Sequence, residues 1–406
     1  MHSSTLPRLV TGDLASWDAH DAFAKLRKGA PVRQVALPGG LVAWLITGAA
    51  EARVALAHPQ LVHDLRRLTD PTHGFAGRRY PDDIFAVEGR HLLNSDGADH
   101  RRLRALLAPL FTRAAARHQE PMVEQTCADL LDHLVNEELA DLVDDYARPL
   151  ATRVTAGLLG IGDDHLPELS TLTLAMINTR DPDHVHIARR RTDLFRLWAR
   201  ILHGKRRDGG DDVLTNLVEA QRRDELSADE LVSVSWGLYS GGISPATTLI
   251  TAGALEILRA PRLRDALLNK RTAGNVTEEL LRLTSPFPVA TWRFAVDDLA
   301  IGDTVLPAGA VVLVSLAGAN RDPRSFPDPD TADPGRERSA GHFAFGLRPH
   351  YCPGAHLART QATIALQALF TRLPRLRLAV PEADLRWHGV LVERCYDKVP
   401  VHTGAV

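Results

Sequence analysis

The chain has 406 residues, 45% of them hydrophobic and 24% charged, with a formal net charge of −2. That length buries a large core, and the near-neutral balance gives no whole-chain case for a nucleic acid or an acidic surface as partner. Only five lysines stand among the basic residues, an arginine bias that carries little chemistry.

The opening MHSSTLPRLVTGDLASWDAH has no apolar run after a basic start, so no signal peptide is expected. No uninterrupted run of about 18 apolar residues occurs, so no transmembrane helix is predicted and a soluble, cytoplasmic protein is the expectation. Residues 32–47 (VRQVALPGGLVAWLIT) read as a hairpin, with two β-rich runs flanking Pro38-Gly39-Gly40. From about 100 to 282 the pattern is mainly helical, with apolar residues recurring at three and four in RRLRALLAPLF, VEQTCADLLDHLV and RPLATRVTAGLLG. KRRDGGDD (205–212) predicts a loop between helices.

Ser227 and Glu230 form a capping box that opens a long helix, which Pro261 stops after about Ala260. At about 1.5 Å per residue that helix spans roughly 50 Å, enough to cross the molecule. After 285 the chain reads as short strands with Gly and Pro turns (ATWRFAVDDLAIGDTVLPAGAVVLVSLAG). Residues 318–341 form a long Pro- and Asp-rich segment, functional or packed on the body. A helix follows over about 355–373, then a strand-like tail. With no repeats and no clear linker, the expectation is one domain over 1–406, mainly α with a small β-rich region.

The three cysteines are Cys127, Cys352 and Cys395. An odd, sparse set argues against a disulfide framework, and no CxxC pair offers a structural zinc site. Cys127 and Cys395 read as buried apolar residues. Cys352 lies in HFAFGLRPHYCPGAHLAR (342–359), bracketed by Phe345-Gly346 and Pro353-Gly354. Glycine there permits unusual dihedrals and close approach to a flat ligand. A thiolate just before a helix is favoured by the positive helix end and its free N–H groups. A single thiolate held this way suits an axial ligand to heme iron. A buried structural cysteine is the plainer alternative.

The arrangement F-G-x-x-x-H-x-C-x-G, followed by Ala355-His356-Leu357-Ala358-Arg359, resembles the heme-binding loop of the cytochrome P450 family. Other stretches match in the family's order. Glu279-Leu280-Leu281-Arg282 resembles its E-x-x-R pair, whose spacing puts both side chains on one helix face. Asp99-His100-Arg101-Arg102-Leu103-Arg104 is similar to its C-helix, and Asn320-Arg321-Asp322-Pro323 to the start of its meander.

The resemblance covers nearly the whole chain. It implies the cytochrome P450 fold, heme b (iron protoporphyrin IX) as cofactor and Cys352 as the metal ligand. It places Phe345 and Gly354 against the heme, and His100, Arg104, Arg293 and His350 at its propionates. Glu279 and Arg282 become the structural pair behind it.

The long helix departs from the pattern. The family's run there is Ala-Gly-x-acid-Thr-Thr; this chain has Ser240-Gly241-Gly242-Ile243-Ser244-Pro245. Ile243 replaces the acid and Ser244 the threonine. Pro245 has no N–H to give the Gly241 carbonyl, so a kink is expected, with Ser244, Gly241 and Gly242 as the catalytic candidates. A merely structural kink is the competing reading. Arg348 stands where the heme loop often has a second Gly, and Thr331-Ala332 replaces the usual Arg-Phe of the meander.

GGISPATTLITAGALEIL and the C-terminal tail look most like cyclodipeptide-tailoring members of the family, where the same Ile-Ser replacement occurs. This favours oxidative coupling of an aromatic cyclic dipeptide, with the substrate supplying protons. Hydroxylation or epoxidation of a polyketide or macrolide is the alternative, and Arg90-His91-Leu92-Leu93-Asn94 resembles that branch. A heme-binding sensor or scaffold without turnover is the alternative of another class. The 63–93 loop, Trp236, Ser285 to Thr291 and Leu391 to Arg394 are the substrate-facing candidates by family position.

No Gly-rich dinucleotide fingerprint appears, so electrons are expected from a separate ferredoxin and ferredoxin reductase. Arg101, Arg102, Arg113, Arg348 and Arg359 could form a basic patch for the ferredoxin; ordinary surface arginines are the equal alternative. His184 and His186 are two apart and do not share a helix face; a solvated loop is the reading there. Arg189 to Arg191 read as a solvated helix face.

Overall fold

The computed structural model describes residues 6–10, 18–37, 41–68, 89–177, 184–336, 341–389, 391 and 393–404. The architecture is mainly α, with four small sheets among the described residues. Five strands form the largest sheet: β1 (Val32–Ala36), β2 (Val42–Ile46), β3 (Leu61–Val62), β4 (Arg293–Ala295) and β5 (Val311–Val314), in the order β1-β2-β5-β4-β3. The predicted hairpin is present: β1 pairs antiparallel with β2, Val32 opposite Ile46 and Ala36 opposite Val42. Its Pro-Gly-Gly turn lies outside the described residues. β2 runs parallel to β5, which ties the N-terminal hairpin to the strands after 285. A second hairpin, β6 (Trp387–Gly389) and β7 (Arg394–Tyr396), forms the strand-like tail.

The helices that position the site are α1 (Gly97–Leu107), α2 (Arg148–Leu159), α3 (His184–Asp208), α4 (Ala228–Arg259), α5 (Ala273–Thr284) and α6 (Ala355–Arg372). α4 opens on the predicted capping box, in which Glu230 N–H donates to the Ser227 hydroxyl at 3.1 Å and Ser227 N–H to the Glu230 carboxylate at 2.9 Å. It is buried over most of its surface because it is a beam between two cores. Val234, Trp236, Tyr239 and Ile243 pack with Leu103, Leu197 and Trp198. Leu249, Ile250, Leu255 and Ile257 pack with Leu131, Tyr146, Leu280 and Leu366. Gly241 to Ser244 lie near the seam between these clusters. α4 passes through Pro245 without a break in helical structure, so any kink there is one the helix accommodates.

Two local expectations are corrected. The histidines at 184 and 186 begin α3 rather than a loop, because Leu194, Leu197, Trp198 and Ile201 give that segment a buried helical face. KRRDGGDD is half helix: α3 continues to Asp208, held by a 2.6 Å ion pair from Lys205 to Asp212. Gly209 to Asp212 make the turn, Gly209 and Gly210 at φ of 69° and 147°. Cys127 and Cys395 are buried, as expected. Among the described residues no helix is long and apolar enough to cross a membrane.

Candidate active site

Cys352 is presented by a loop folded on its own backbone. Cys352 N–H donates to the Phe345 carbonyl at 3.0 Å, and Gly346 N–H to the Phe343 carbonyl at 2.8 Å. Gly346 sits at φ 66°, a left-handed conformation that penalises a side chain and so calls for glycine. Gly354 is the N-cap residue of α6, and its backbone N–H bonds the Cys352 sulfur. Burial pushes the Cys352 thiol up, against that N–H and the charges of Arg104 and Arg359. The favourable helix end is therefore present but outweighed while the sulfur carries a proton.

Arg359 braces the loop from α6. It lies 4.5 Å over the Phe345 ring, donates to the Tyr351 hydroxyl at 3.2 Å and pairs with Glu278. Against burial, hydrogen bonds from His342 and Arg359 hold the Glu278 carboxyl at about 2.

Behind the loop, Arg282 and Glu279 of α5 are 2% and 5% exposed. Arg282 donates to Glu279 through Nε at 2.9 Å and Nη2 at 2.7 Å. It also donates to the carbonyls of Asn320, Pro329 and Thr331. Glu279 accepts from the Asp333 N–H at 2.9 Å and from Arg336 Nε at 3.2 Å. The described part of the segment, residues 318–336, is thus packed on the body by a buried ion pair. Sequence reasoning missed Arg336, which has no spacing relation to α5.

A second cluster gathers His63, Asp96, His100, His350, Arg104 and Arg293. The ring of His350 lies between those of His63 and His100, each centroid at 4.1 Å and the planes tilted by 48° and 45°. Asp96 accepts from the backbone N–H groups of His63 and Asp64 at 2.8 Å and lies 3.3 Å from His350 Nε2. Burial opposes the Asp96 charge, but the His350 and His63 hydrogen bonds hold its carboxyl well below the usual range. Burial, then the His350 and Arg104 charges, bring His100 down to about 4. Burial brings the Arg293 guanidinium down to about 10.

His63 Nε2 and His100 Nε2 are buried without a partner, and among the described residues no carboxylate pairs with Arg293 or Arg104. One carboxylate thus faces two guanidinium groups and three imidazoles. That imbalance, with orphaned donors, fits an anionic group such as the two propionates of heme. His63, Asp96 and His350 also have ligand atoms within 4.8 Å of one another, as a metal site would. The sequence reading named His100, Arg104, Arg293 and His350 but missed His63 and Asp96. Asp96 looks like a helix cap before α1, yet makes no cap bond because its oxygens are taken by the 63–64 backbone and by histidines.

On the long helix the candidates divide. A Cβ on Gly241 would meet nothing within 4 Å, so this face looks onto open space. A Cβ on Gly242 would lie 2.6 Å from the Thr155 hydroxyl; that glycine serves the close crossing of α2 and α4. Thr247 spends its hydroxyl on the Ile243 carbonyl at 2.9 Å. The Ser244 hydroxyl meets the Glu393 carboxyl, an acid from the C-terminal hairpin that sequence reasoning had placed only within a substrate-facing stretch.

Of the other substrate-facing candidates, Ser285 is committed elsewhere: it donates to the Arg282 carbonyl at 3.0 Å and accepts from Asn320 at 2.9 Å. Trp236 is buried with its indole N–H unpartnered. Residues 69–88 of the 63–93 loop lie outside the described residues. The basic patch is smaller than expected. Arg102 is taken up by Glu230 and the Glu225 carbonyl, and Arg359 by Glu278, leaving Arg101, Arg113 and Arg348 exposed.

Comparison with known proteins agrees with this geometry. Residues 273–382 match the family model described as Cytochrome P450. Cytochrome P450 107B1 of Saccharopolyspora erythraea is 35% identical over 413 residues, covering 100% of both chains. The 6-deoxyerythronolide B hydroxylase of the same organism is 34% identical, over 98% of this chain and 99% of that one. The tirandamycin C-bound monooxygenase TamI superimposes with a TM-score of 0.87 at 38% identity, over 95% of this chain and 98% of that one. The P450 enzyme CxnD, for C–S bond formation in chuangxinmycin biosynthesis, has a TM-score of 0.90 at 25% identity, over 100% of this chain and 98% of that one. An end-to-end match of this kind, with the cysteine loop and buried α5 pair in place, makes the chain a member of the cytochrome P450 family, a monooxygenase whose cofactor is heme b.

Proposed function

We propose that this monooxygenase tailors a bacterial natural product by oxygenating a macrolide or related polyketide, as a single domain over residues 1–406. The observation that carries the chemistry is the half-buried Cys352 sulfur beside a cation-rich cluster with orphaned imidazole nitrogens. The substrate class is supported by kinship. Relatives named for such work include 6-deoxyerythronolide B hydroxylase and the mycinamicin IV hydroxylase/epoxidase of Micromonospora griseorubida.

Bound heme supplies oxygen activation, with the thiolate pushing electron density that helps break the O–O bond. In this reading Cys352 is the iron ligand, steadied by the Gly354 N–H, with Phe345 and Gly354 against the heme. His100, Arg104, Arg293 and His350, with His63, hold the propionates. Glu279 and Arg282 fix the segment behind the loop. Gly241 leaves room on the long helix, and Ser244 offers a hydroxyl there. Ser244→Ala is expected to lower product formed per electron by about tenfold or more, within the usual range for a lost proton-transfer group. Unchanged turnover and coupling would remove Ser244 from the chemistry.

Oxidative coupling of an aromatic cyclic dipeptide is the second reading, favoured by the Ile243-Ser244-Pro245 run. NADH consumption with surrogate ferredoxin partners, tied to product analysis, tests the proposal. An oxygenated macrolactone supports it, a coupled cyclic dipeptide supports the second reading, and heme binding without product would leave a sensor or scaffold.

Ferredoxin and ferredoxin reductase supply the electrons in this reading, with Arg101, Arg113 and Arg348 as the docking charges. Reversing Arg101 and Arg113 to Glu is expected to slow reduction several-fold at low salt and flatten its salt dependence. Stopped-flow reduction across ionic strengths checks this; an unchanged salt slope would dismiss the patch.

A further inference from the structure

We propose that Glu393, on the C-terminal hairpin, is the carboxyl group that serves this active site, holding a proton and delivering it through the hydroxyl of Ser244. The proposal deepens the monooxygenase reading and rests on it.

Around Ser244 the α4 helix carries Gly241, Gly242, Ile243, Pro245 and Thr247, so the helix itself offers no carboxyl at that turn. The β7 strand packs directly on α4 and brings Glu393 to Ser244 from the opposite direction in the chain. One carboxyl oxygen bonds the Ser244 hydroxyl; Oε1 is out of solvent and has no partner. Among the described residues no lysine or arginine charge acts on the Glu393 carboxyl. Glu393 as a whole is half-buried, but holding a carboxyl oxygen out of water without a partner is costly, and such perturbed acids cluster where chemistry needs them.

The groups around it are few. Its own hairpin contributes Cys395, His388 and Asp397; α4 contributes Ser244 and Thr247; α2 contributes Arg148. Of these, Arg148 is engaged with Cys395 and Asp144, and His388 lies between Cys395 and Asp397. Among the described residues none neutralises Glu393. Burial pushes its carboxyl up to about 7, tempered by the Ser244 hydrogen bond, so near neutral pH it both holds and releases a proton. A cleft of about 920 Å³, bordered by Ile243, Ser244, Thr247, His388 and Cys395, gives water a route to this neighbourhood.

The transfer balances simply. When the O–O bond breaks, the oxygen that leaves as water takes up two protons; each passes from Glu393 to Ser244 Oγ as that oxygen hands its own proton on, with Glu393 reprotonated from solvent between the two transfers. The hydroxyl ends as it began, the electrons come from the redox partner, and the carboxylate regains its proton from solvent.

The test uses the holoenzyme with Glu393→Gln, Glu393→Asp and Ser244→Ala. Difference infrared spectroscopy of the substrate-free ferric protein, titrated over about pH 5 to 9, should show a protonated-carboxyl carbonyl band that vanishes with a midpoint near 7. The band should be absent in Glu393→Gln and kept in Ser244→Ala. A folded-state value above the ordinary carboxyl value stabilises the protein below the unfolded pKa and loses that contribution as pH rises through about 7. The wild type should therefore melt progressively earlier than Glu393→Gln over that interval.

In turnover, product per NADH should fall in the wild type as pH rises through about 7. It should be about tenfold lower or more and flat with pH in Glu393→Gln, and partly restored in Glu393→Asp. An infrared band that survives in Glu393→Gln would show that Glu393 is not the proton holder. Wild-type coupling and pH profile in Glu393→Gln would overturn the delivery role. Product from no variant would overturn the monooxygenase reading instead, a failure the infrared titration does not share.

Discussion

Cys352→Ala is expected to remain folded, to lose the thiolate-ligand signature in the optical spectrum of its reduced carbonyl complex, and to fall to background turnover. Nothing else in the loop can replace the sulfur. Cys127 and Cys395 are buried on other elements, Cys127 within the helix Glu120–Leu134 and Cys395 on β7. The loop's shape does not depend on the sulfur: it is held by the Cys352 and Gly346 N–H groups, by Gly346 at φ 66° and by Arg359 over Phe345. The substitution keeps all of these, so the cost to stability should stay within about 1 kcal/mol, the scale of removing a small, partly exposed side chain. Loss of the signature with heme still bound would identify Cys352 as the ligand. Retention of the signature would assign the iron to another residue.

Arg282→Ala should produce the largest loss of stability, about 3–5 kcal/mol, as expected when one partner of a buried ion pair is removed. Arg282 supplies bonds to both Glu279 oxygens and to three carbonyls of the 318–341 segment. Its loss strands a buried carboxylate and frees the segment behind the cysteine loop. Arg282→Lys should recover little, because an ammonium cannot present the planar fork that meets these acceptors at once. Urea unfolding with heme content measured in parallel checks both variants; a midpoint within error of the wild type would show that the pair carries no structural load. Burial opposes the Glu279 charge, but the Arg282 bonds keep its carboxyl below the ordinary value. Its contribution is therefore present at neutral pH and lost on acidification below about 4.5.

Features written in short stretches were legible in the sequence. The Pro-Gly-Gly hairpin, the Ser227–Glu230 capping box, the Glu279–Arg282 spacing and the cysteine loop each depend on residues within a few positions of one another. What was missed depends on distant partners. Arg336 completes the α5 pair from more than fifty positions away, and His63 joins His350 only because β3 and the heme loop meet in space. Arg102 and Arg359 were read as surface charge because Glu230 and Glu278 are remote in sequence. Glu393 is the sharpest case. The helix seemed to lack an acid because the acid comes from another element, and the argument for a proton-supplying substrate weakens with it.

The most direct test of the account is a Soret titration of the purified ferric protein with macrolactones and related polyketides beside cyclic dipeptides containing Tyr or Trp. The account predicts a saturable low-to-high-spin shift with a macrolactone or polyketide, followed by its oxygenation in a reconstituted system. A shift with an aromatic cyclic dipeptide alone, yielding a coupled product, would contradict the proposed substrate class and leave the coupling reading in its place.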